Sequence, residues 1–377
     1  MTFRRALPLL LLLCSLPAIA QIGVDTHLDV MQRVLIEGKD LGTLLPDGQV
    51  DFVRLKRGGV TAPFFALYIP VYYKGGEAVR RTLDFRDAAQ KLLDAHPDAA
   101  QMALNAADIE RITSSGKLAI VLTLEGGHQI GNDIAVLRVY HHLGIRAMTL
   151  THFRNNEWAD SSTDKPEHNG LTEFGKNVVR EMNRLGMIVD ISHVSDKTFY
   201  DAVAVSTKPV IASHSSCRAL CDVPRNMTDD MLRALAKNGG VVGINFAPGF
   251  LNREDAAATM ASINTRGAEE PKLSGKALDD YSKSQILKED AAHAKTAHAT
   301  IDDVVAHIDH AVKVAGIDHV GIGSDFDGIP QVPVGLEDIG KMPELWAKLK
   351  AKGYSDADIA KIRGGNLLRV IRAVTGK

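Results

Sequence analysis

The sequence predicts a (β/α)₈ barrel, a fold in which eight parallel strands are each followed by a helix. Eight apolar runs of strand length, rich in β-branched residues, recur along the chain of 377 residues. Amphipathic helical stretches lie between most of these runs, and this alternation favours a parallel sheet covered by helices on both faces. No glycine-rich dinucleotide fingerprint follows the first run, which disfavours an open, doubly wound sheet.

The predicted strands are short apolar runs that end where a helical pattern begins. They cover residues 23–29, 61–69, 118–125, 147–152, 187–193, 209–213, 240–246 and 319–325. The predicted helices cover residues 81–95, 133–143, 172–185, 195–205, 229–237 and 301–315. Hydroxyl residues at Thr172, Ser195 and Thr228 are typical N-caps for three of these helices.

Residues 252–300 interrupt the alternation after the seventh predicted strand. This segment is rich in Ala, Lys, Asp and Glu and contains no run that is typical of a strand. We expect a mostly helical insertion, placed at the end of the barrel where loops shape access to the site. A solvated linker without a functional role explains the same composition.

The composition is that of an ordinary globular protein, 45% hydrophobic and 24% charged, with a formal net charge of −2. Such a chain has enough apolar material for one large core, and we expect one barrel domain over residues 21–377. The sequence has no basic stripe, so nucleic acid is not expected as a partner.

The N-terminus has the pattern of a secretory signal peptide over residues 1–20. Arg4 and Arg5 precede an apolar run at 6–16, and Ala-Ile-Ala at 18–20 gives the small-residue cleavage pattern. We therefore expect an exported protein, periplasmic or secreted. Because the apolar run is short for a membrane span and the C-terminal sequence has no hydrophobic tail, no stable membrane anchor is expected.

Two of the three cysteines, Cys217 and Cys221, follow the predicted cleavage site. They are four positions apart in a predicted loop, too few for a disulfide framework. Their spacing is compatible with one disulfide and with half of a metal site, and the sequence favours neither.

Histidines and carboxylates follow six of the predicted strands, at the end of a parallel barrel where active sites lie. His27 and Asp29 are two positions apart on the first strand, so their side chains point the same way. An imidazole and a carboxylate placed together can bind one divalent ion. In isolation this pair is a weak signal, because such residues also cap loops.

A second ion is predicted from His193 and His214, which end two consecutive predicted strands. Glu125 ends the third predicted strand and could bridge both ions. Many amidohydrolase barrels use a modified lysine as the bridge, but no lysine ends a predicted strand here, so an amidohydrolase-like centre would rely on Glu125. Two hydrogen-bonded core histidines and an ion pair of Glu125 with an arginine are the alternatives.

Four further residues are candidates for catalysis and substrate binding. Asp325, after the eighth predicted strand, could orient a water, move its proton or bind a substrate ammonium, and Asp327 is its rival. His152 ends the fourth predicted strand, which we expect to lie away from both ion pairs, and could donate a hydrogen bond to an oxyanion. Arg225, in the loop after the sixth predicted strand, could bind a substrate carboxylate.

These segments together resemble the renal (membrane) dipeptidase family of zinc peptidases. The resemblance rests on DTHLD, LEGGH, LTHFRNNEWAD, VDISHVS, ASHSSCRALCDVPRN, GSDFDGIP and GGNLLRVI, which occur in this order along nearly the whole mature chain. It implies a (β/α)₈ barrel with two zinc ions per chain. The implied residues are His27 and Asp29 on one zinc, His193 and His214 on the other, Glu125 between them, and His152, Arg225 and Asp325 on the substrate.

The resemblance also implies an activity, the hydrolysis of dipeptides that have free termini, with a D-residue tolerated at the C-terminal position. Some family members open β-lactam rings. The chain lacks the lipid-anchor tail and most cysteines of the mammalian members, and whether it forms a homodimer stays open.

Two other functions compete with the dipeptidase interpretation. One is another metal-dependent amidohydrolase, acting on N-acyl amino acids, lactams or lactones, although neutral substrates would not need a carboxylate clamp at Arg225. The other is a non-catalytic, exported metal-binding protein, although Asp325, His152 and Arg225 are more than metal storage requires.

Overall fold

Eight parallel strands surround a common axis in the computed structural model, which describes residues 22–282, 284 and 298–376. In chain order the strands are β1 (Val24–Leu28), β2 (Ala62–Tyr68), β3 (Ala100–Met102), β4 (Leu118–Glu125), β5 (Ile145–Thr149), β6 (Ile188–Asp190), β7 (Ile211–Ser215), β8 (Val241–Ile244) and β9 (Val320–Ile322). The barrel runs β1-β2-β4-β5-β6-β7-β8-β9, while β3 lies outside this order and pairs with the first three residues of β4. The (β/α)₈ barrel predicted from the sequence is confirmed.

Helices follow the strands and cover the outside of the barrel. They are α1 (Val30–Glu37), α2 (Phe52–Gly58), α3 (Gly75–Ala95), α4 (Ala106–Ser114), α5 (Ile134–His142), α6 (Glu173–Leu185), α7 (Asp196–Val205), α8 (Asp229–Asn238), α9 (Pro248–Leu251), α10 (Arg253–Glu269), α11 (Ile301–Ala315), α12 (Met342–Ala351), α13 (Asp356–Ala360) and α14 (Asn366–Thr375). The three predicted N-caps are present, since the side chains of Thr172, Ser195 and Thr228 accept hydrogen bonds from the first turns of α6, α7 and α8. Within the described residues, no helix is both long enough and apolar enough to cross a membrane.

The barrel closes between β1 and the segment that follows β9. Leu28 forms a parallel bridge with Phe326, and the amide of Asp29 donates to the carbonyl of Phe326 (3.0 Å). The amide of Asp325 donates to the carbonyl of His27 (3.0 Å). Three predicted site residues, His27, Asp29 and Asp325, therefore also form the closing seam.

Small residues fill the barrel interior beneath the closing seam. The Thr26 hydroxyl lies 2.6 Å from the Ser213 carbonyl and 2.9 Å from that of Ile322, so it can donate to either across the barrel. Gly243 and Gly323 face the same carbonyl of Ser213. The side chains of β2, β4 and β7 are buried along their whole length, as expected for strands covered on both faces.

Two aspects of the strand prediction need correction. β3 was missed because it has three residues and its middle one, Gln101, is exposed, so it gives no apolar run. Several strands also end earlier than predicted: His152, His193 and Asp325 lie three residues beyond the ends of β5, β6 and β9. Their polar side chains stand on loops that leave the strands.

The segment after β8 is helical where it is described, as predicted, with α10 and the helical residues 275–282. The remainder of the predicted insertion and the predicted signal peptide at 1–20 fall on residues outside the described ranges, apart from 284 and 298–300. Cys217 and Cys221 are both buried and free, so the disulfide alternative is absent from this structure.

We predict that Gly323→Ala destabilises the barrel. A Cβ at this position would lie 1.7 Å from the Ser213 carbonyl oxygen and 2.9 Å from the Thr26 hydroxyl. The shifts that accommodate such an overpacked Cβ typically lower the free energy of unfolding by about 1–3 kcal/mol. Thermal denaturation should show a lower Tm for this variant, whereas Gly76→Ala, whose Cβ would meet nothing within 4 Å, should not lower it. Equal Tm values for the two variants would contradict the close approach inside the barrel.

Candidate active site

The polar residues that follow the barrel strands converge in one buried group at the carboxyl end of the barrel. Glu125 is the last residue of β4, His27 lies in β1 and His214 lies in β7. His152 and His193 reach the same place from the loops after β5 and β6. All five side chains are less than a tenth exposed, so they are not ordinary polar residues of the protein surface.

One oxygen of Glu125 is the centre of this group. The Nε2 atoms of His27, His152, His193 and His214 lie 3.4, 3.5, 3.1 and 3.5 Å from Glu125 Oε1. The prediction that His152 lies away from the ion-binding pairs is wrong, because β5 is adjacent to β4 and its loop folds back over Glu125. We call Glu125 and these four histidines the Glu125 cluster.

The ligand atoms fall into three overlapping groups, each within 4.8 Å. These are His27, Glu125 and His214; Glu125, His152 and His193; and His27, Asp29 and Asp325. Glu125 belongs to two of them, as a bridging carboxylate should. The structure does not separate the two predicted pairs cleanly, since the His214 ring lies 3.7 Å from that of His27 and its Nε2 lies 2.8 Å from that of His193.

Backbone strain accompanies this convergence. His193 and Asp325 have φ of 67°, and Asp327 has φ of 63°, in the left-handed region that residues with a Cβ rarely adopt. They are three of the five residues other than glycine with positive φ in the described part of the chain. Such conformations persist where the surrounding structure requires them and cluster at functional sites.

The electrostatics of the histidines suit cation binding. Burial, followed by nearby cationic groups, holds the pKa values of His152, His193 and His214 well below their usual range, so these imidazoles are neutral and keep a lone pair. Burial also acts to lower the pKa of His27, but the carboxylates of Glu125 and Asp29 raise it well above the usual range. A cation that bound there would displace that proton.

The polar atoms of the site also lack enough protein partners. Asp29 Oδ1 and His193 Nδ1 are buried and have no hydrogen-bond partner among the described residues. His27 Nε2 is buried as well, and only the carboxylates of Asp29 and Glu125 lie near it, at 3.3 and 3.4 Å. Imidazole nitrogens and carboxylate oxygens are the ligands that zinc takes in catalytic sites, so these residues fit zinc.

A hydrogen-bonded chain behind His214 fixes which of its nitrogens faces the cluster. The Ser213 hydroxyl donates to Asp190 Oδ2 (2.5 Å) and lies 2.7 Å from His214 Nδ1. Since the single hydroxyl proton is directed to Asp190, the hydroxyl oxygen accepts from Nδ1–H of His214. The Nε2 lone pair of His214 is thereby aimed at Glu125.

The structure distinguishes Asp325 from its rival Asp327. Asp325 lines the cavity above the Glu125 cluster and accepts a hydrogen bond from Asn245 Nδ2 (2.9 Å), and burial raises its pKa to about 7. Asp327 is turned away, accepting from the Gln49 amide (2.8 Å) and lying 3.8 Å from the Arg33 guanidinium. The geometry favours Asp325 as the residue that acts on the substrate and Asp327 as the residue that anchors the loop.

Arg225 is buried, which is unusual for a loop arginine. Its Nη2 donates to the His214 carbonyl (2.9 Å), its guanidinium lies 5.2 Å from the centre of the Phe250 ring, and its Nε has no hydrogen-bond partner among the described residues. Burial lowers its pKa to about 10, so it stays cationic at neutral pH. Phe250 lines the cavity and Arg225 lies behind it.

A cavity of about 370 Å³ opens above the cluster. Asp29, Glu125, His152, His193 and Asp325 face it, and one side of α10 forms a wall. The insertion after β8 therefore borders the site, which favours the prediction that it shapes access over the solvated linker.

Tyr68, Asn245 and Arg266 also line or support the cavity but were not predicted from the sequence. Tyr68 and Asn245 stand near the ends of predicted strands, so the criterion that singled out Glu125 would have found them had it included tyrosine and asparagine. Arg266 gives no comparable signal, since it is one of many charged residues in a helix.

Comparisons with known proteins identify a family and relatives of this chain. The family described as membrane dipeptidase (peptidase family M19) matches residues 19–376. The dipeptidase tcpJ of Claviceps purpurea is 37% identical over 336 residues, which cover 87% of this chain and 69% of that protein. The dipeptidase aclJ of Aspergillus oryzae is 37% identical over 333 residues, 86% of this chain and 69% of that protein.

Two solved structures are similar over almost their whole length. The probable dipeptidase PvdM from Pseudomonas aeruginosa superimposes with a TM-score of 0.81 and 28% identity, covering 95% of this chain and 97% of that one. A metallopeptidase from Rhodobacter sphaeroides, liganded with a phosphinate mimic of the dipeptide L-Ala-D-Ala, gives a TM-score of 0.78 and 25% identity, covering 94% and 99%.

We predict that Ser213→Ala weakens zinc binding by about 10–100-fold, the usual effect of losing a residue that orients a metal-binding histidine. Without the hydroxyl, His214 loses the acceptor that fixes its Nδ1–H. Competition with a chromogenic chelator measures the affinity. Ser216→Ala is the control, since this hydroxyl bonds the Asn245 carbonyl instead of an imidazole. Unchanged zinc affinity in Ser213→Ala would contradict the orienting chain.

Proposed function

Since the chain belongs to the membrane dipeptidase family, peptidase family M19, we propose that it hydrolyses dipeptides with free amino and carboxyl termini at a centre of two zinc ions. The observation that carries the proposal is the Glu125 carboxylate oxygen with four imidazole nitrogens within 3.5 Å, at the floor of the cavity. Tolerance of a D-residue at the C-terminal position is part of the proposal. It is supported by the L-Ala-D-Ala mimic bound to the similar metallopeptidase.

The protein's own residues supply ligands of the kind that two ions need. His27 and Asp29 would hold one ion, His193 and His214 the other, and Glu125 would lie between them. When bound, zinc lowers the pKa of water toward neutrality and polarises a carbonyl group. The pKa values of His193 and His214 remain far below neutrality, so these ligands need no deprotonation first.

The remaining residues position the substrate and move protons. Asp325, fixed by Asn245, would bind the substrate ammonium and exchange a proton at its carboxylate, as its pKa near 7 permits. His152 would donate a hydrogen bond to the oxygen of the scissile carbonyl through Nε2, the nitrogen that faces the cavity floor. The buried, unpartnered Nε of Arg225 would be satisfied by the substrate carboxylate.

Family membership argues against the two competing functions. A metal-storage protein has no use for Asp325 and Arg225 in addition to the metal ligands, and an amidohydrolase for neutral substrates would leave the buried charge of Arg225 uncompensated. The N-terminal sequence supports the further proposal that the enzyme is exported and acts in the periplasm or outside the cell. A homodimer is an additional proposal, which rests on the family resemblance alone.

The first prediction of the proposed function is that the enzyme requires both free termini of its substrate, at the spacing of a dipeptide. With the zinc-loaded protein, N-acetylation or C-terminal amidation of Ala-Ala should lower kcat/KM by roughly two to three orders of magnitude, because either change leaves a buried charge unpaired. Arg225→Ala should remove the penalty for amidation and keep the penalty for acetylation. Steady-state kinetics on the three substrates measure this, with a chelated sample as the blank. Equal kcat/KM values on all three substrates would refute the dipeptidase function and favour a general amidohydrolase.

The second prediction separates the two aspartates of the last loop. Asp325→Asn should lower kcat/KM on Ala-Ala about 10²–10³-fold, since it removes both the proton acceptor and the ammonium partner. Asp327→Asn is the matched control, and it should change kcat/KM less than about threefold while lowering Tm, because it weakens the contacts to Gln49 and Arg33. If Asp327→Asn caused the larger catalytic loss, the assignment of the two residues would be reversed.

A further inference from the structure

Helix α10 crosses the mouth of the barrel. It begins directly after α9, on the side of β8, which lies opposite β2 and β5 in the order of the strands. Further along the helix, the Ile263 carbonyl accepts a hydrogen bond from Arg154 Nη2 (2.9 Å), in the loop after β5. The Gly267 carbonyl accepts one from the Tyr72 hydroxyl (3.3 Å), in the loop after β2. Contacts on both sides of the barrel therefore hold α10 over the active site.

The face of α10 that lines the cavity has uncharged side chains between its two ends, and apolar residues of other elements line the same cavity. Three of these residues, Phe250, Ile263 and Ile329, are less than a tenth exposed although they border the cavity. The name apolar belt is used below for Phe153, Phe250, Ala258, Ile263, Ile329 and Pro330.

The charged residues at the two ends of this face already have partners or face solvent. At the start of α10, Asp255 accepts hydrogen bonds from two backbone amides and from His298 Nδ1, and the Glu254 side chain is 72% exposed. Near the end, the Arg266 guanidinium is paired with the buried Glu270 carboxylate (3.0 Å). These charges are therefore balanced or solvated without a substrate.

The belt adjoins the place proposed for the terminal carboxylate of the substrate. The Phe250 ring centre lies 5.2 Å from the Arg225 guanidinium. The helices α9 and α10 touch next to Phe250, since a Cβ on Gly249 would lie 2.0 Å from Thr259 Oγ1. Ala258 is the neighbouring residue and lines the cavity. In the proposed function, on which this inference rests, Arg225 binds the terminal carboxylate, so the C-terminal residue of the dipeptide would lie beside Phe250 and Ala258.

We infer that the apolar belt binds the side chain of the C-terminal residue, so that dipeptides ending in a large apolar residue are preferred over those ending in a polar one. Ala258 is then a specificity-determining residue. An apolar side chain in the belt removes apolar surface of both partners from water. An amide of the same shape would lose its hydrogen bonds to water without regaining them from the belt.

Gln331 favours the opposite preference. It lines the same cavity, and its Nε2 is buried without a hydrogen-bond partner among the described residues. If this amide governed selection, dipeptides ending in asparagine or glutamine would be the better substrates.

The test compares nearly isosteric dipeptides on the zinc-loaded enzyme: Ala-Leu with Ala-Asn, and Ala-Met with Ala-Gln, each with the C-terminal residue in the L and in the D configuration. The readout is the ratio of kcat/KM for the apolar dipeptide over the polar one. The lost hydrogen bonds of the amide predict a wild-type ratio of about 10–100 for at least one pair. The reversed pair, Leu-Ala with Asn-Ala, should give a smaller ratio.

Ala258→Asp should bring the ratio below about 3, because it places a carboxylate in the belt beside the apolar side chain. Ala258→Val adds similar bulk without the charge and should keep the preference. Ala257→Asp is the matched control, since Ala257 is exposed on the same helix but does not line the cavity. This variant should keep the wild-type ratio.

Wild-type ratios below about 3 for every pair, or a ratio that survives in Ala258→Asp, would overturn the inference. Better hydrolysis of the polar dipeptides would overturn it in favour of Gln331, and a larger ratio for the reversed pair would overturn the assignment to the C-terminal residue. Hydrolysis of Ala-Ala by the wild type is measured in parallel. Turnover of Ala-Ala with equal kcat/KM within the pairs would overturn the inference alone, whereas no turnover of Ala-Ala would overturn the proposed function.

Discussion

The rest of the site depends on a buried carboxylate oxygen, Glu125 Oε1, on which four imidazoles converge. Glu125 Oε1 has four imidazole nitrogens around it, three of them on rings that burial keeps neutral. His193 Nε2 and His214 Nε2 lie 2.8 Å apart, and the chain behind His214 directs its proton to the opposite nitrogen. The His214 Nε2 lone pair and the Glu125 carboxylate thus meet in a buried space, where a cation would be attracted to both. The donor set is thus built for metal ions, and positive φ at His193 and Asp325 is part of holding it together.

The residues that close the barrel also form part of the candidate active site. The seam between β1 and the segment after β9 uses the amides of Asp29 and Asp325, and the side chains of these two residues face the same cavity. A barrel that failed to close would separate Asp325 from His27 and Asp29. The Thr26 hydroxyl and the two glycines that face the Ser213 carbonyl place β7, with His214, against this seam. Packing at the barrel axis therefore sets the positions of side chains in the candidate active site.

The site residues that lie in strands were predicted from the sequence. His27, Glu125 and His214 lie in strands whose burial and direction follow from apolar runs and from the rule that parallel strands share a carboxyl end. His152, His193 and Asp325 were predicted as site residues but placed on strands, because the point at which a backbone leaves the sheet has no periodic signature. At His193 and Asp325 the backbone also has positive φ. The position of His152 beside Glu125 depends on a loop that folds back, which no local pattern encodes. Arg266 was missed because a helix that forms a cavity wall has the same composition as one that faces solvent.

The most direct test of this account is the anomalous diffraction of zinc in crystals of the zinc-loaded protein. The account predicts two zinc peaks per chain, both within bonding distance of the Glu125 carboxylate, about 2.0–2.2 Å from its oxygens. One peak should also contact His27 and Asp29, and the other His193 and His214. A single peak at full occupancy, or two peaks that leave Glu125 without a metal contact, would contradict it.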